Sequence, residues 1–247
     1  FVYGSEKEAS DFLSYIDECL ADKMSLPEKI FKKILEQYNK NEIYHNVINH
    51  MKEVIEKNID LSTIDYISGG ERRDWFFSNI ISYLLHKPHL TIYKDLSIVC
   101  SDSEFTSTKP ISDLNGKSVL HIADLVTVAS SYIRAWIPAI KAINGNMKYS
   151  CVVVDRMQGG REKIEAEGVK FYSLINVDDS LFEMAYKKGI INENQLEMLK
   201  GFFKNPDETM KQFLINHPEF LENALNSDEK TRKRAKLLVD GNLYGLN

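Results

Sequence analysis

Residues 118–131 read Ser118-Val119-Leu120-His121-Ile122-Ala123-Asp124-Leu125-Val126-Thr127-Val128-Ala129-Ser130-Ser131, and this segment carries the architecture. The turn signal Asn115-Gly116 precedes it, and Ser118–Ile122 then reads as a buried strand. Ala129–Ile143 reads as a helix. A strand that passes through an acid into a hydroxyl-rich helix start is a βα unit of a parallel sheet, and such sheets bind ligands beyond the carboxyl ends of their strands. Free N–H groups and the dipole of the helix start favour a phosphate there, with hydroxyl donors from Thr127, Ser130 and Ser131. Asp124 is placed to accept hydrogen bonds from sugar hydroxyls or to help hold a metal-bound phosphosugar. A plainer reading stays open: Ser130 or Ser131 caps the helix, and Asp124 starts a turn.

Neighbouring segments repeat the pattern. Upstream, Ile64–Ile67 is an expected strand, followed by Gly69-Gly70 and a helix through Phe76, Ile80, Ile81 and Leu84. Leu90–Tyr93 is a second strand. Downstream come strands at Tyr149–Val154 and Val169–Ile175, with a helix at Arg161–Glu167 between them. Alternating strands and helices specify βαβ units and a mainly parallel sheet. In Ile67-Ser68-Gly69-Gly70-Glu71-Arg72-Arg73-Asp74 the glycines can expose backbone N–H groups, and the two arginines add positive charge suited to an anion such as pyrophosphate. The alternative is a solvated loop with Arg72 and Arg73 paired to Glu71 and Asp74. In Val154-Asp155-Arg156-Met157-Gln158-Gly159-Gly160-Arg161, Arg156 is suited to bidentate capture of a carboxylate. The alternative is a strand-end ion pair before a helix.

Both ends of the chain read as helical. Ser5 with Glu8, and Ser25 with Glu28, fit capping boxes, and a third helix is expected over Ile43–Glu56. After Asp178, helices are expected near Leu181–Lys188, Glu193–Phe203, Glu208–Ile215 and Glu229–Val239. The organisation is therefore an N-terminal helical region (1–60), an α/β core (61–177) and a C-terminal helical extension (178–247).

An apolar fraction of 43% suffices for a packed core, and the net charge of −5 argues against an extended nucleic-acid-binding face. Cys19, Cys100 and Cys151 are too few and too far apart for a disulfide framework or a CxxC metal site, which suggests a reducing, cytoplasmic setting. No apolar run approaches a membrane span, and no segment reads as a signal peptide. The six histidines form no metal-ligand spacing, and His121 reads as a packed core residue.

VLHIADLVTVASS (119–131) resembles the phosphoribosyl-pyrophosphate motif of the type I phosphoribosyltransferases: a hydrophobic strand, two acids, then a Thr- and Gly-rich loop. VVVDRMQGGREKIEAEGVKFYSL (152–174) resembles the segment of the orotate phosphoribosyltransferases that starts Asp-Arg and soon carries Gly-Gly. DLNGKSVLHI (113–122) is similar to the lead-in of the motif strand. ISGGERRDWFFS (67–78) stands where the family has its pyrophosphate loop. The resemblance spans about Ile64 to Val177.

It implies a parallel sheet of about five strands flanked by helices, with helical additions at both ends. It implies that Asp124 contacts the donor's ribose hydroxyls and that Thr127, Val128, Ala129, Ser130 and Ser131 wrap the 5′-phosphate. By the same resemblance Gly69, Gly70, Arg72 and Arg73 take the pyrophosphate, Arg156 takes the carboxylate of orotate, and Lys94 matches a catalytic lysine near the pyrophosphate. The implied reaction displaces pyrophosphate from a magnesium-bound phosphoribosyl donor by a base nitrogen. Its transition state is oxocarbenium-like, so positioning and leaving-group charge stabilisation carry it. A homodimer acting on small molecules, without nucleic acid or membrane, is implied too. Three features depart from the pattern. Ala123 stands at the first acid, Ala129 replaces a loop glycine, and LSIVCSDSEFTSTKP (96–110) occupies the place of a basic, glycine-containing mobile loop. They motivate a second expectation, a non-catalytic protein that keeps the fold and senses a phosphoribosyl ligand or nucleotide.

Overall fold

The computed structural model describes residues 3–245. The chain divides into two compact units, Phe1–Asn176 and Val177–Asn247. The first is built on a seven-stranded sheet in the order β4-β3-β2-β1-β5-β6-β7. The strands are β1 (Tyr66–Gly70), β2 (His89–Ile92), β3 (Ile98–Ser101), β4 (Thr108–Pro110), β5 (Ser118–Val126), β6 (Asn146–Asp155) and β7 (Lys170–Asn176). Five of them, β2-β1-β5-β6-β7, are parallel, as expected. The other two, β3 and β4, run antiparallel beyond β2. They lie in residues 96–110, which the sequence reading treats only as a missing loop. The segment folds instead as a short hairpin, its turn closed by the Asp102 carboxylate on the N–H groups of Glu104 and Thr106.

Helices cover both faces. On one lie α1 (Glu6–Cys19), α2 (Leu26–Lys40), α3 (Glu42–Asn58) and α4 (Trp75–Leu84). Ile16, Ile30, Ile34, Ile48, Met51 and Ile55 recur at helical spacing and are buried together with sheet residues Ile67, Leu120 and Ile122. Each such aliphatic side chain contributes about 1.5–3 kcal/mol of burial, so the N-terminal helices share one core with the sheet. On the opposite face, α5 (Ile137–Ala142) and α6 (Gly160–Ala166) pack with Ala123, Val126 and Val152.

Local signals hold unevenly. Ser5 caps α1 through the Glu8 N–H and donates its hydroxyl to the Glu8 carboxylate. Ser25 does not cap α2, because its hydroxyl and N–H both go to the Asp22 carboxylate. The helix expected from Ala129 is split: a wide, π-type turn over Tyr132–Trp136 precedes α5. Gly69 and Gly70 end β1 rather than forming the loop after it.

The second unit holds α7 (Asp179–Lys187), α8 (Glu193–Lys204), α9 (Pro206–Asn216), α10 (Pro218–Leu225) and α11 (Glu229–Asp240). The sequence reading misses α10, which starts at Pro218 with only His217 between it and the end of α9. Asp178, Asn192, Asn205 and Asp228 cap four of the five helices through their side chains. Among the described residues, no helix is long and apolar enough to cross a membrane.

Candidate functional site

Strands β1 and β5 lie side by side and parallel, so the loops that leave their carboxyl ends meet. Between them is a cavity of about 240 Å³, lined by Glu71, Arg72, Arg73 and Asp74 from the first loop, by residues 123–126 at the carboxyl end of β5 and by residues 127–132 that follow it. Asp124, Thr127, Val128, Ala129, Ser130 and Ser131 are thus brought together on one wall. Ala129 has φ 57°, in the left-handed region that costs a non-glycine residue about 1–2 kcal/mol. That conformation turns the chain between the end of β5 and the following helix. Gly160 lets the same turn pack closely, since a Cβ there would stand 2.6 Å from the Thr127 carbonyl oxygen.

Asp74 ties the two loops together. Its carboxylate accepts the N–H of Gly70 (3.2 Å) on one oxygen and the N–H of Asp124 (3.2 Å) on the other. Behind it lies His121, fully buried as expected, with Nδ1 on the Ser68 hydroxyl (2.9 Å) and Nε2 3.7 Å from the Asp74 carboxylate. Asp124 itself pairs with Arg73 across the cavity, Nε to Oδ2 at 3.0 Å, and accepts the N–H of Leu125. Burial, and then the neighbouring Asp74 carboxylate, push the Asp124 carboxyl up to about 6, while Arg73 pulls it back.

Several expected roles meet a different geometry. Gly69 and Gly70 do not offer free N–H groups to an anion, because the Gly70 N–H is bonded to Asp74 and both residues belong to the parallel ladder. Their lack of a side chain serves packing. A Cβ on Gly69 would stand 2.1 Å from the Ser78 hydroxyl, and one on Gly70 2.2 Å from the Trp136 ring. Arg72 pairs with Asp17 of α1, and Arg73 with Asp124, so neither takes Glu71 or Asp74 as its partner. Lys94 lies just outside the cavity, its N–H and ammonium both directed at Glu71 (3.0 and 3.4 Å). Arg156 is exposed, and its N–H bonds to the Val126 carbonyl. The partner of buried Asp155 is Arg161, at 3.1 Å, which also reaches Ser173 and lies over the Phe171 ring.

Sequence reasoning misses Asp74 and Glu71 as members of the site. A faint signal existed, since both acids stand in the loop that follows a strand. It misses as well an adjoining apolar cleft of about 290 Å³, walled by Tyr3, Ala9, Phe12 and Leu13 from the N-terminal region, by Phe76 and Phe77 from α4, and by Val153 and Val154 from β6. The cleft shares Arg73, Asp124 and Leu125 with the first cavity. Among the described residues, no cluster of three or more His, Cys, Asp or Glu side chains is arranged to hold a metal ion by itself.

The solved UMP synthase of Leishmania donovani superposes on this chain with a TM-score of 0.54 at 16% identity, covering 68% of this chain and 34% of that one. Strand order, helical layers and the loop pair of the site accordingly define the type I phosphoribosyltransferase-like fold. At the level of sequence the chain resembles phosphoribosyltransferases, orotate phosphoribosyltransferases among them. That of Sulfolobus acidocaldarius is 23% identical over 167 residues, covering 66% of this chain and 78% of the relative. The hypoxanthine/guanine phosphoribosyltransferase of Methanothermus fervidus is 28% identical over 142 residues, covering 54% and 74%. No protein-family model matches the chain.

Proposed function

We propose that this protein transfers a phosphoribosyl group from phosphoribosyl pyrophosphate to a pyrimidine base such as orotate, releasing pyrophosphate. The observation that carries the proposal is the single cavity in which Asp124, the 127–131 turn and the 71–74 loop face one another. A 5′-phosphate suits the turn, where N–H groups of the helix start and the hydroxyls of Thr127, Ser130 and Ser131 converge. Asp124 would hold the ribose hydroxyls once Arg73 releases it. Arg73 and Arg72, on the facing loop, would balance the charge of the leaving pyrophosphate. Lys94, beside Glu71, would add to that balance.

A magnesium ion suits this donor set. Magnesium takes one or two carboxylates together with substrate oxygens and retained waters, and needs no cage of protein ligands. Asp124 and Glu71 both line the cavity and would help hold it. When bound, it would neutralise pyrophosphate charge. The residues' own task is to fix the ribose against the departing group and to keep water from competing for the reacting carbon. Arg156 is the residue that the resemblance assigns to the acceptor carboxylate. We also propose a homodimer working in the cytoplasm, with all three cysteines as free thiols.

The test is direct. With phosphoribosyl pyrophosphate, magnesium and a panel of bases including orotate, pyrophosphate release should follow the base added. A folded protein that turns over none of them sinks the proposal.

A further inference from the structure

Asp74 does little for its own helix. It leads into α4, where an aspartate side chain ordinarily accepts an N–H of the first turn, yet its carboxylate makes no such bond. It is buried as well, and it stands beside the Asp124 carboxylate, a like charge. What the side chain does is join two strand ends. One oxygen takes the N–H of Gly70, the last residue of β1, and the other takes the N–H of Asp124, near the end of β5. Each oxygen therefore serves one wall of the polar cavity.

His121 stands behind this bridge with a defect of its own. Its Nδ1 is on the Ser68 hydroxyl and the Tyr132 ring meets it edge-on, 5.0 Å between centroids, so the imidazole is held in place. Among the described residues its buried Nε2 has no hydrogen-bond partner, and it faces, at 3.7 Å, the Asp74 oxygen that takes Gly70. Buried nitrogens without a partner are rare. A forgone cap, a neighbouring like charge and an orphaned ring nitrogen converge on one carboxylate. All three oppose stability, and such convergence marks functional positions.

We infer that Asp74, backed by His121, is a positioning residue for the transfer: it fixes the span between Asp124 and the 71–74 loop, and so between the ribose and the leaving pyrophosphate. The inference rests on the phosphoribosyl transfer proposed above. The two bonds of Asp74 go to Gly70 and Asp124, and none goes to the 127–131 turn that would hold the 5′-phosphate. Loosening the bridge therefore spares most of the donor's affinity and removes its alignment, and a misplacement of about 1 Å costs roughly a hundredfold in rate.

The experiment uses the full chain with magnesium, phosphoribosyl pyrophosphate and the panel of bases. Pyrophosphate release gives kcat, calorimetry gives donor affinity, and urea unfolding gives stability. Asp74→Asn keeps the shape and one acceptor oxygen, but sets an amide NH2 against one of the two N–H groups. Its kcat should fall roughly thirtyfold while donor affinity falls no more than about threefold. Its urea midpoint should stay close to that of the parent, because relief from the like charge offsets the lost bond. His121→Phe keeps a ring and removes both nitrogens, and kcat should fall about fivefold; in the double variant it should add no more than about twofold to the Asp74→Asn loss, since the two residues act in series. An Asp74→Asn protein with the parent's kcat overturns the inference. So does one that loses donor affinity as much as kcat, or one that does not fold, since the role is then structural. A His121→Phe protein as active as the parent, or losses that multiply in the double variant, overturn the part given to His121. A parent protein that turns over no base is a different failure, and it overturns the transfer reading itself.

Discussion

The two cavities that meet at Arg73 and Asp124 are similar in size and opposite in making. The first, near 240 Å³, is walled by backbone, hydroxyls and paired charges from two loops; the second, near 290 Å³, is walled by side chains of helices and a strand. The polar cavity depends on where the backbone turns: Ala129 at φ 57° and the close approach of Gly160 to Thr127 set it. The apolar one depends on which side chains the packed helices leave partly uncovered. A substitution that moves backbone should therefore damage the first, and one that changes side-chain volume should damage the second.

The largest effect is expected from Asp124→Ala. It removes the acid shared by both walls, and kcat/KM for pyrophosphate release should fall roughly 10²–10³-fold. A loss below threefold would show that the shared wall is not the reacting one. Next comes Gly160→Ala, whose new Cβ would press the Thr127 carbonyl. Overpacking of this kind costs about 1–3 kcal/mol, so donor affinity, read by titration, should drop several-fold to a hundredfold. Base affinity should change little, and equal losses for the two ligands would break the contrast.

A pH series sharpens it further. The Asp124 carboxyl titrates near 6, raised by burial and by Asp74. Donor affinity should hold above that pH and fall by up to about tenfold per unit below it, whereas binding of an uncharged base should stay flat. The smallest effect is on stability. A carboxyl raised from 3.8 to about 6 holds its proton more tightly when folded, so its burial costs stability increasingly between about pH 4 and 6 and fully above. Asp124→Asn should therefore stabilise the protein at pH 7.5 by about 1 kcal/mol in urea unfolding, after allowing for solvent screening of a side chain that is 18% exposed. The gain should vanish near pH 4.

The same contrast governs what the sequence reveals. The β5 strand and its polar exit are legible because apolar run, acid and hydroxyls are contiguous, and the parallel order follows from the alternation of strands and helices. The apolar cleft is not, because Phe12, Phe76 and Val153 come from three distant segments and each alone reads as core. Asp74 escapes for the same reason: one of its two N–H partners lies 50 residues away. Arg72 finds Asp17 across 55 residues, where a local reading pairs it with its neighbours. The hairpin of β3 and β4 escapes because strands of four and three residues are too short for an alternating pattern to set them apart from a loop until β2 supplies a partner; Val99 opposite Thr91 is the kind of pairing that only the fold provides.

That hairpin has a consequence for the protein as a solute. It ends the sheet on a strand of three residues, Thr108–Pro110, largely exposed and containing Lys109 and Pro110. Proline offers no N–H to a newcomer, and a lysine would have to be brought up against another chain. A bare β2 edge would present His89–Ile92, fully buried and rich in aliphatics, as a template for cross-chain pairing. The two added strands thus act as a guard against aggregation on that side.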